Sequence, residues 1–279
     1  MQEGEEEHFK DLDIECISGT IYDNPYLKPE YIKKFEAMLT PEEKEARIFG
    51  RFLTLTGIVY KQLNRAIHGR ERFAIPREWP QWVVMDPHDR RPHYLSWFAL
   101  DEIDDIYWHR GVTVEGTLRD AGEYIKKVEE VENSTVVRRI IDPNFGKKMF
   151  GNSRMTVQQE LQKIGEDIGY DLRFSAEVDD TVSLGHQKVK DYLRYNPSEP
   201  ISLTNKPKLY IFSDMKEVWH QMQRYIHDEW KQSPMEKEPK EAPKLKFTDF
   251  PDTVRYCVMD NPHFFIPEIY KPEEVPTYV

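Results

Sequence analysis

Three short apolar runs, Trp82 to Met85, Tyr94 to Leu100 and Ile106 to Trp108, follow one another with only polar turns between them. The turns leave no room for a helix, so the runs must pair as consecutive antiparallel strands. The texture then changes. Leu118, Ala121, Ile125, Val128 and Val131 recur at helical spacing behind the cap residue Thr117, and VVRRII follows as a β-branched run. The alternation continues with a helix on Val157, Leu161, Ile164 and Ile168, a short strand near 171–174 and a helix over 182–193. Leu209 to Phe212 then reads as a strand. Ser213 or Asp214 caps a long helix with Met215, Val218, Trp219, Met222, Ile226 and Trp230 on one face. A meander followed by alternating helices and strands specifies an α/β chain built on a mixed sheet.

Upstream, the first fifteen residues carry seven acids against Lys10 alone, a solvated end with no core to fold around. Two helices open at Pro29 and at Thr40-Pro41, since proline is tolerated in a first helical turn. The stiff, turn-rich IPREWPQW places a boundary near residue 78, giving an acidic end and helical linker over 1–78 and a sheet-bearing domain over 79–279. Downstream, 233–244 reads as an exposed loop, DFPDTVRYCVMD as a last helix and the proline-spaced tail as extended.

Hydrophobic residues at 39% and charged residues at 32% exclude a disordered chain. No apolar window approaches the ~18 residues of a membrane span, and MQEGEEEHFK lacks the features of a signal peptide, so the expectation is an intracellular protein away from membranes. Cys16 and Cys257 form neither a CxxC pair nor a disulfide framework. The net charge of −11 repels phosphate unless bases are concentrated somewhere.

They are concentrated around one acid. Between Ser134 and Arg154 stand Arg138, Arg139, Lys147, Lys148 and Arg154 against Asp142 alone, a pattern that suits a phosphodiester beside a metal. A solvated strand end explains it equally well. Two apolar strands end in Asp-Pro, at Asp86 and at Asp142, and side by side they would bring their carboxylates together. Such a pair needs a shared proton or a divalent cation, although Asp before Pro is also common turn chemistry. Asp249 and Asp252 lie three apart and share a helix face, with capping as their ordinary explanation. Gly146-Lys147 is not a phosphate loop, because Ile141 and Lys148 break the motif. His88, His93 and His109 lack an HExxH or cysteine partner, which argues against zinc.

GTIYDNPYLKPEYI with EARIFGRF and GIVYKQL, then WPQWVVMDPHDRRPHYLSWFALDEIDDIYW, RRIIDPNFGKK, and PKLYIFSDMKEVWHQMQRYIHDEW followed by DFPDTVRY, occur in this order over about residues 19 to 260. In content and order they resemble the large terminase subunit of tailed bacteriophages, specifically its carboxy-terminal nuclease half with the preceding linker. The resemblance implies a ribonuclease H-like mixed sheet flanked by helices. It implies Asp86 and Asp142 as metal ligands, with Asp249 or Asp252 as the third. Two Mg²⁺ or Mn²⁺ ions roughly 3.5 to 4 Å apart would serve in-line hydrolysis, one activating water and the other stabilising the leaving 3′ oxygen. Thr248-Asp249 stands where family members carry an Asp doublet or Asp-His, and Thr253 to Tyr256 where they carry an Ala-Leu-Arg-Tyr-like run.

The implied activity is metal-dependent endonucleolytic cleavage of concatemeric double-stranded DNA in the host cytoplasm. The implied partners are the terminase ATPase part, the small terminase and the portal. The family's ATPase phosphate loop is not among these residues, so the expectation is a nuclease part that does not translocate DNA alone. Two alternatives stand beside it: a resolvase- or transposase-type nuclease with the same carboxylates, or a docking module without catalysis. Clustering of Asp86, Asp142 and Asp249 or Asp252 separates the last from the others.

Overall fold

The computed structural model describes residues 20–24, 26–37, 57–149, 154–229, 239–243 and 247–267. The chain divides into two compact units, Met1–Thr56 and Gly57–Val279. In the first, a 3-10 turn at Ile21–Asp23 precedes helix α1 (Pro29–Ala37), which opens on proline as its sequence requires. The second helix expected there, at Thr40-Pro41, lies outside the described residues.

The second unit opens with α2 (Arg65–His68) and β1 (Gly69–Arg70). The meander follows as β2 (Gln81–Asp86), β3 (His93–Leu100) and β4 (Ile106–Val114). Helix α3 (Leu118–Glu132) leads into β5 (Val136–Ile141), the short α4 (Pro143–Gly146), α5 (Val157–Ile168) and α6 (Val182–Tyr192). Then come β6 (Leu209–Phe212), α7 (Lys216–Arg224), a small hairpin of β7 (His227–Glu229) and β8 (Pro239–Pro243), and α8 (Asp249–Met259). The six-stranded sheet runs β1-β6-β4-β3-β2-β5. Its β2-β3-β4 core is antiparallel, while β5, β6 and β1 add in parallel. This is the expected mixed, ribonuclease H-like sheet flanked by helices.

Strand alternation sorts side chains to the two faces. Trp82, Val84 and Ile140 join one cluster with Val189 of α6, Trp219 of α7 and Val254 of α8. Val83, Met85 and Ile141 join the other with Leu118 and Ile125 of α3 and Leu161 of α5. Both helices on the second face are closed by capping boxes, Thr117 with Asp120 and Thr156 with Gln159. Gly116 makes the first possible. Its φ of +111° sets the turn, and a Cβ there would lie 2.5 Å from the Asp120 carboxylate.

The structure departs from the sequence expectations in four places. Residues 171–174 are not a strand: the Asp171 side chain accepts from the Arg173 N–H at 3.1 Å and Phe174 bonds back to Leu172, so the backbone is satisfied locally. Ser175 alone bridges to Ile140. The long helix after β6 stops at Arg224, because Tyr225 turns extended and buries its ring against Tyr60 and His186. Its N-cap is Met215 without a side-chain bond, Asp214 being held by Arg72 at 2.6 Å; Trp230 lies outside the described residues. Part of the expected 233–244 loop forms β8. Finally, Gly69–Arg70 supplies a strand from upstream of residue 78, pairing with Ile211 and Phe212.

Candidate metal centre

Strands β2 and β5 lie side by side and parallel, with Met85 opposite Ile141, and the Asp142 N–H donates to the Met85 carbonyl at 3.0 Å. The two Asp-Pro junctions therefore leave the sheet together. Alternation continues Trp82 and Val84 to Asp86, and Ile140 to Asp142, so both carboxylates rise on the α8 face. Helix α8 packs on that face against β2, β3 and β5. Its first turn delivers Asp249 and Asp252 to the same place. The result is an open cleft of about 370 Å³ lined by Asp86, Asp142, Asp249 and Asp252 together with His88, Arg91 and Lys148.

Neither acid of α8 caps its helix. Thr248 is the N-cap residue and makes no side-chain cap bond. Asp249 Oδ1 instead accepts from His88 Nε2 at 3.0 Å and pairs with Arg91 at 3.2 Å. Asp252 accepts from Arg255 Nε at 3.0 Å, and the same guanidinium donates to the Asp180 carboxylate at 3.1 Å. Asp142 is also engaged on both oxygens, by the Phe145 N–H at 2.5 Å and by the Tyr256 hydroxyl. Asp86 differs from the other three. It is 7% exposed and, among the described residues, its carboxylate accepts no hydrogen bond; His88 Nε2 stands 3.7 Å away, beyond hydrogen-bond reach.

The electrostatics follow from this crowding. Burial, and then the charges of Asp252, Asp142 and Asp249, push the Asp86 carboxyl well above its usual range, with Arg91 opposing. Burial also raises Asp252 to about 6, Asp142 and Asp249 adding to it while Arg255 pulls back. Burial would raise Asp249 too, but the His88 hydrogen bond and the Arg91 charge outweigh it and hold Asp249 below the ordinary value. Without a cation, Asp86 and Asp252 thus hold their protons to higher pH than ordinary carboxyls do. A carboxyl whose folded pKa is raised stabilises the fold below its unfolded pKa, and that contribution is lost as pH rises through the folded value. The metal-free protein is therefore expected to lose ~1–3 kcal/mol between pH 4 and 7, read as a falling Tm. Asp86→Asn should raise the metal-free Tm at pH 7.5 and flatten that fall; an unchanged profile would refute the account.

Sequence reasoning singled out all four acids, and the fold brings them into one cleft. The five bases fare differently. Arg138 and Arg139 are neighbours on β5 and so point to opposite faces. Arg138 is paired with Asp260 beyond the end of α8, at 3.0 Å. Arg139 is buried on the α3 face, with its guanidinium forked onto both oxygens of Glu129 at 2.8 and 2.6 Å. It is not available to a phosphate. Lys147, Lys148 and Arg154 are exposed, and of the five only Lys148 lines the cleft. His88 was set aside with the other histidines for want of a zinc motif. Its spacing two residues after Asp86 was the available signal. Asp180 anchors Arg255, and Tyr256 is the α8 residue one turn after Asp252.

Among solved structures, the large terminase of the thermophilic bacteriophage D6E, solved with ATP-γ-S, aligns with a TM-score of 0.53 at 18% identity. The alignment covers 86% of this chain and 54% of that one. The nuclease domain of the P22 large terminase aligns with a TM-score of 0.52 at 13% identity, over 75% of this chain and 94% of the P22 domain. This chain has the large terminase nuclease fold. It spans about half the length of the D6E terminase chain. No protein-family model and no curated protein matches the sequence. Among the described residues no helix is long and apolar enough to cross a membrane.

Proposed function

We propose that this chain is the nuclease part of a phage large terminase, a metal-dependent endonuclease that cuts concatemeric double-stranded DNA during genome packaging. One observation carries the proposal: on a terminase nuclease fold, four acids from three separate stretches converge in a cleft, and one of the two buried ones, Asp86, has no hydrogen-bond partner among the described residues. Uncompensated buried charge is costly, and oxygen-rich clusters of this kind suit hard divalent cations. A docking module has no reason to assemble such a cluster, and this supports the catalytic proposal over that alternative. The D6E and P22 likenesses support a terminase over a resolvase.

Asp86, Asp142, Asp249 and Asp252 would hold Mg²⁺ or Mn²⁺. Two bound ions supply Lewis acidity at the phosphodiester and a hydroxide equivalent at neutral pH. The protein's own groups do the rest. Tyr256 and the Phe145 N–H fix the Asp142 carboxylate, Arg255 with Asp180 fixes Asp252, and Lys148 and Arg91 put positive charge on the rim of an acidic cleft where a phosphate backbone would lie. Binding to the terminase ATPase part, small terminase and portal, in the host cytoplasm, belongs to the same proposal.

The test is plasmid cleavage in EDTA, Mg²⁺ or Mn²⁺. Nicking and linearisation with metal and none in EDTA are expected; a folded chain inert with both metals, alone and with its ATPase part, would overturn the proposal. Lys148→Ala should weaken DNA binding a few-fold and lower the salt slope of log K by about one, read by fluorescence anisotropy in Ca²⁺. An unchanged salt slope would remove Lys148 from the interface.

A further inference from the structure

We propose that the cleft takes its cations unequally: one ion binds first between Asp86, His88 and Asp249, with the imidazole as a ligand, and this site favours Mn²⁺ over Mg²⁺. The inference rests on the nuclease proposal for the same cleft and specifies its metal chemistry.

The four carboxylates are not equally free to accept an ion. Asp142 has both oxygens committed, to the Phe145 N–H and the Tyr256 hydroxyl. Asp252 is tied to Arg255, and Arg255 is itself pinned by the Asp180 carboxylate and carbonyl. Gly185 lets α6 close over that guanidinium, since a Cβ there would lie 2.4 Å from Arg255 Cγ. An ion using Asp142 and Asp252 must compete with groups locked into the fold.

Asp86 is buried and, among the described residues, without a hydrogen-bond partner, so an ion there displaces none of them. Asp86, His88 and Asp249 each offer a ligand atom within 4.8 Å of the others, and among the described residues they are the one group of histidine, cysteine and acid side chains that does so. Ligand atoms at that spacing can share a single ion at ordinary bond lengths of ~2.0–2.3 Å. The donors already there are weakly held. Arg91 is 57% exposed, and His88 sits on the loop between β2 and β3.

The nitrogen sets the preference. Mg²⁺ is a hard ion that dehydrates reluctantly and takes oxygen ligands. First-row transition ions accept imidazole, and Mn²⁺ does so while keeping carboxylate and water. The histidine must also change tautomer. Arg91 has no acceptor, so at 3.4 Å it donates to His88 Nδ1, which places the ring proton on Nε2, facing Asp249. Ligation at Nε2 moves that proton to Nδ1, leaves the ring neutral, and sets a donor against Arg91. The exposed guanidinium then turns outward at the mouth of the cleft.

The whole chain, stripped with EDTA and exchanged into metal-free buffer, would be titrated with Mn²⁺ and followed by electron paramagnetic resonance. One tight ion is expected before any second, with ¹⁴N modulation in the electron spin echo of the bound Mn²⁺. His88→Ala should abolish the nitrogen signal and weaken Mn²⁺ at least tenfold. Mg²⁺ affinity, measured by calorimetry, should change less than threefold. His88→Asn, checked by circular dichroism to be folded, serves as the second variant and should give the same result. Bound Mn²⁺ without nitrogen coupling, or equal losses for both metals, would overturn the inference. The two proposals fail separately. Nitrogen-coupled Mn²⁺ without DNA cleavage upholds the ligand set and refutes the nuclease; metal-dependent cleavage without nitrogen coupling does the reverse.

Discussion

Alanine at Asp86 or Asp142 is expected to slow metal-dependent plasmid cleavage by about 10³-fold or more, corresponding to the several kcal/mol that bound metal contributes to a phosphoryl transition state. The two variants should part company in stability. Removing Asp86 relieves a buried, unpaired carboxylate, so the metal-free fold should gain a few degrees in Tm, at roughly 2–4 °C per kcal/mol for a unit of this size. Removing Asp142 strands the hydroxyl of the buried Tyr256, a loss of partner that costs ~1–3 kcal/mol, and the part-buried Phe145 N–H. Asp142→Asn keeps an acceptor there and should recover most of that loss while leaving the rate low. Cleavage that persists in either alanine variant would refute the site. A fall in stability for Asp86→Ala would refute the account of its electrostatics.

Arg139→Ala is expected to cost ~3–5 kcal/mol of folding stability, the penalty for leaving one member of a buried ion pair behind. Glu129 is 2% exposed and accepts four hydrogen bonds: two from Arg139, one from Trp97 Nε1 at 3.1 Å and one from the Tyr170 hydroxyl at 2.7 Å. This network ties β5 to α3 across one face of the sheet. The double variant Arg139→Met/Glu129→Gln removes both charges while keeping a carbonyl acceptor for Trp97 and an amide donor that the Tyr170 hydroxyl can accept, and should regain at least half the loss. Urea unfolding decides it, through a shift of midpoint at constant slope. A stable Arg139→Ala variant with weakened DNA binding would instead restore Arg139 to the DNA-binding set.

Arg138 and Arg139 show where a charge count along the chain fails. As sequence they form one basic patch with Lys147, Lys148 and Arg154. In the fold a period of two sends them to opposite sides of β5, where one meets Asp260 and the other Glu129. Asp260 is 122 residues from Arg138, and Glu129 sits on the preceding helix outside the basic stretch, so a charge count over that stretch shows neither cancellation. The same holds for Asp249. Read locally it is a cap, yet His88 and Arg91 claim its carboxylate once α8 lies across β2 and β3, whereas Asp252 pairs with Arg255 on its own helix.

The sequence alone determined most of the helices and the meander, because strand and helix periods are local and the β2–β3–β4 turns are too short for anything but antiparallel pairing. It also determined that Asp86 and Asp142 sit at strand ends, since Asp-Pro stops a strand wherever it falls. The tertiary structure decided the rest. Placing β5 beside β2 in parallel brought the two strand ends together, and laying α8 on that face supplied the remaining acids. The same packing brought His88 rather than the other histidines into the cleft, and left Asp86 buried and, among the described residues, without a hydrogen-bond partner. These are contacts between segments up to about 160 residues apart, set by which faces pack rather than by any pattern within a segment.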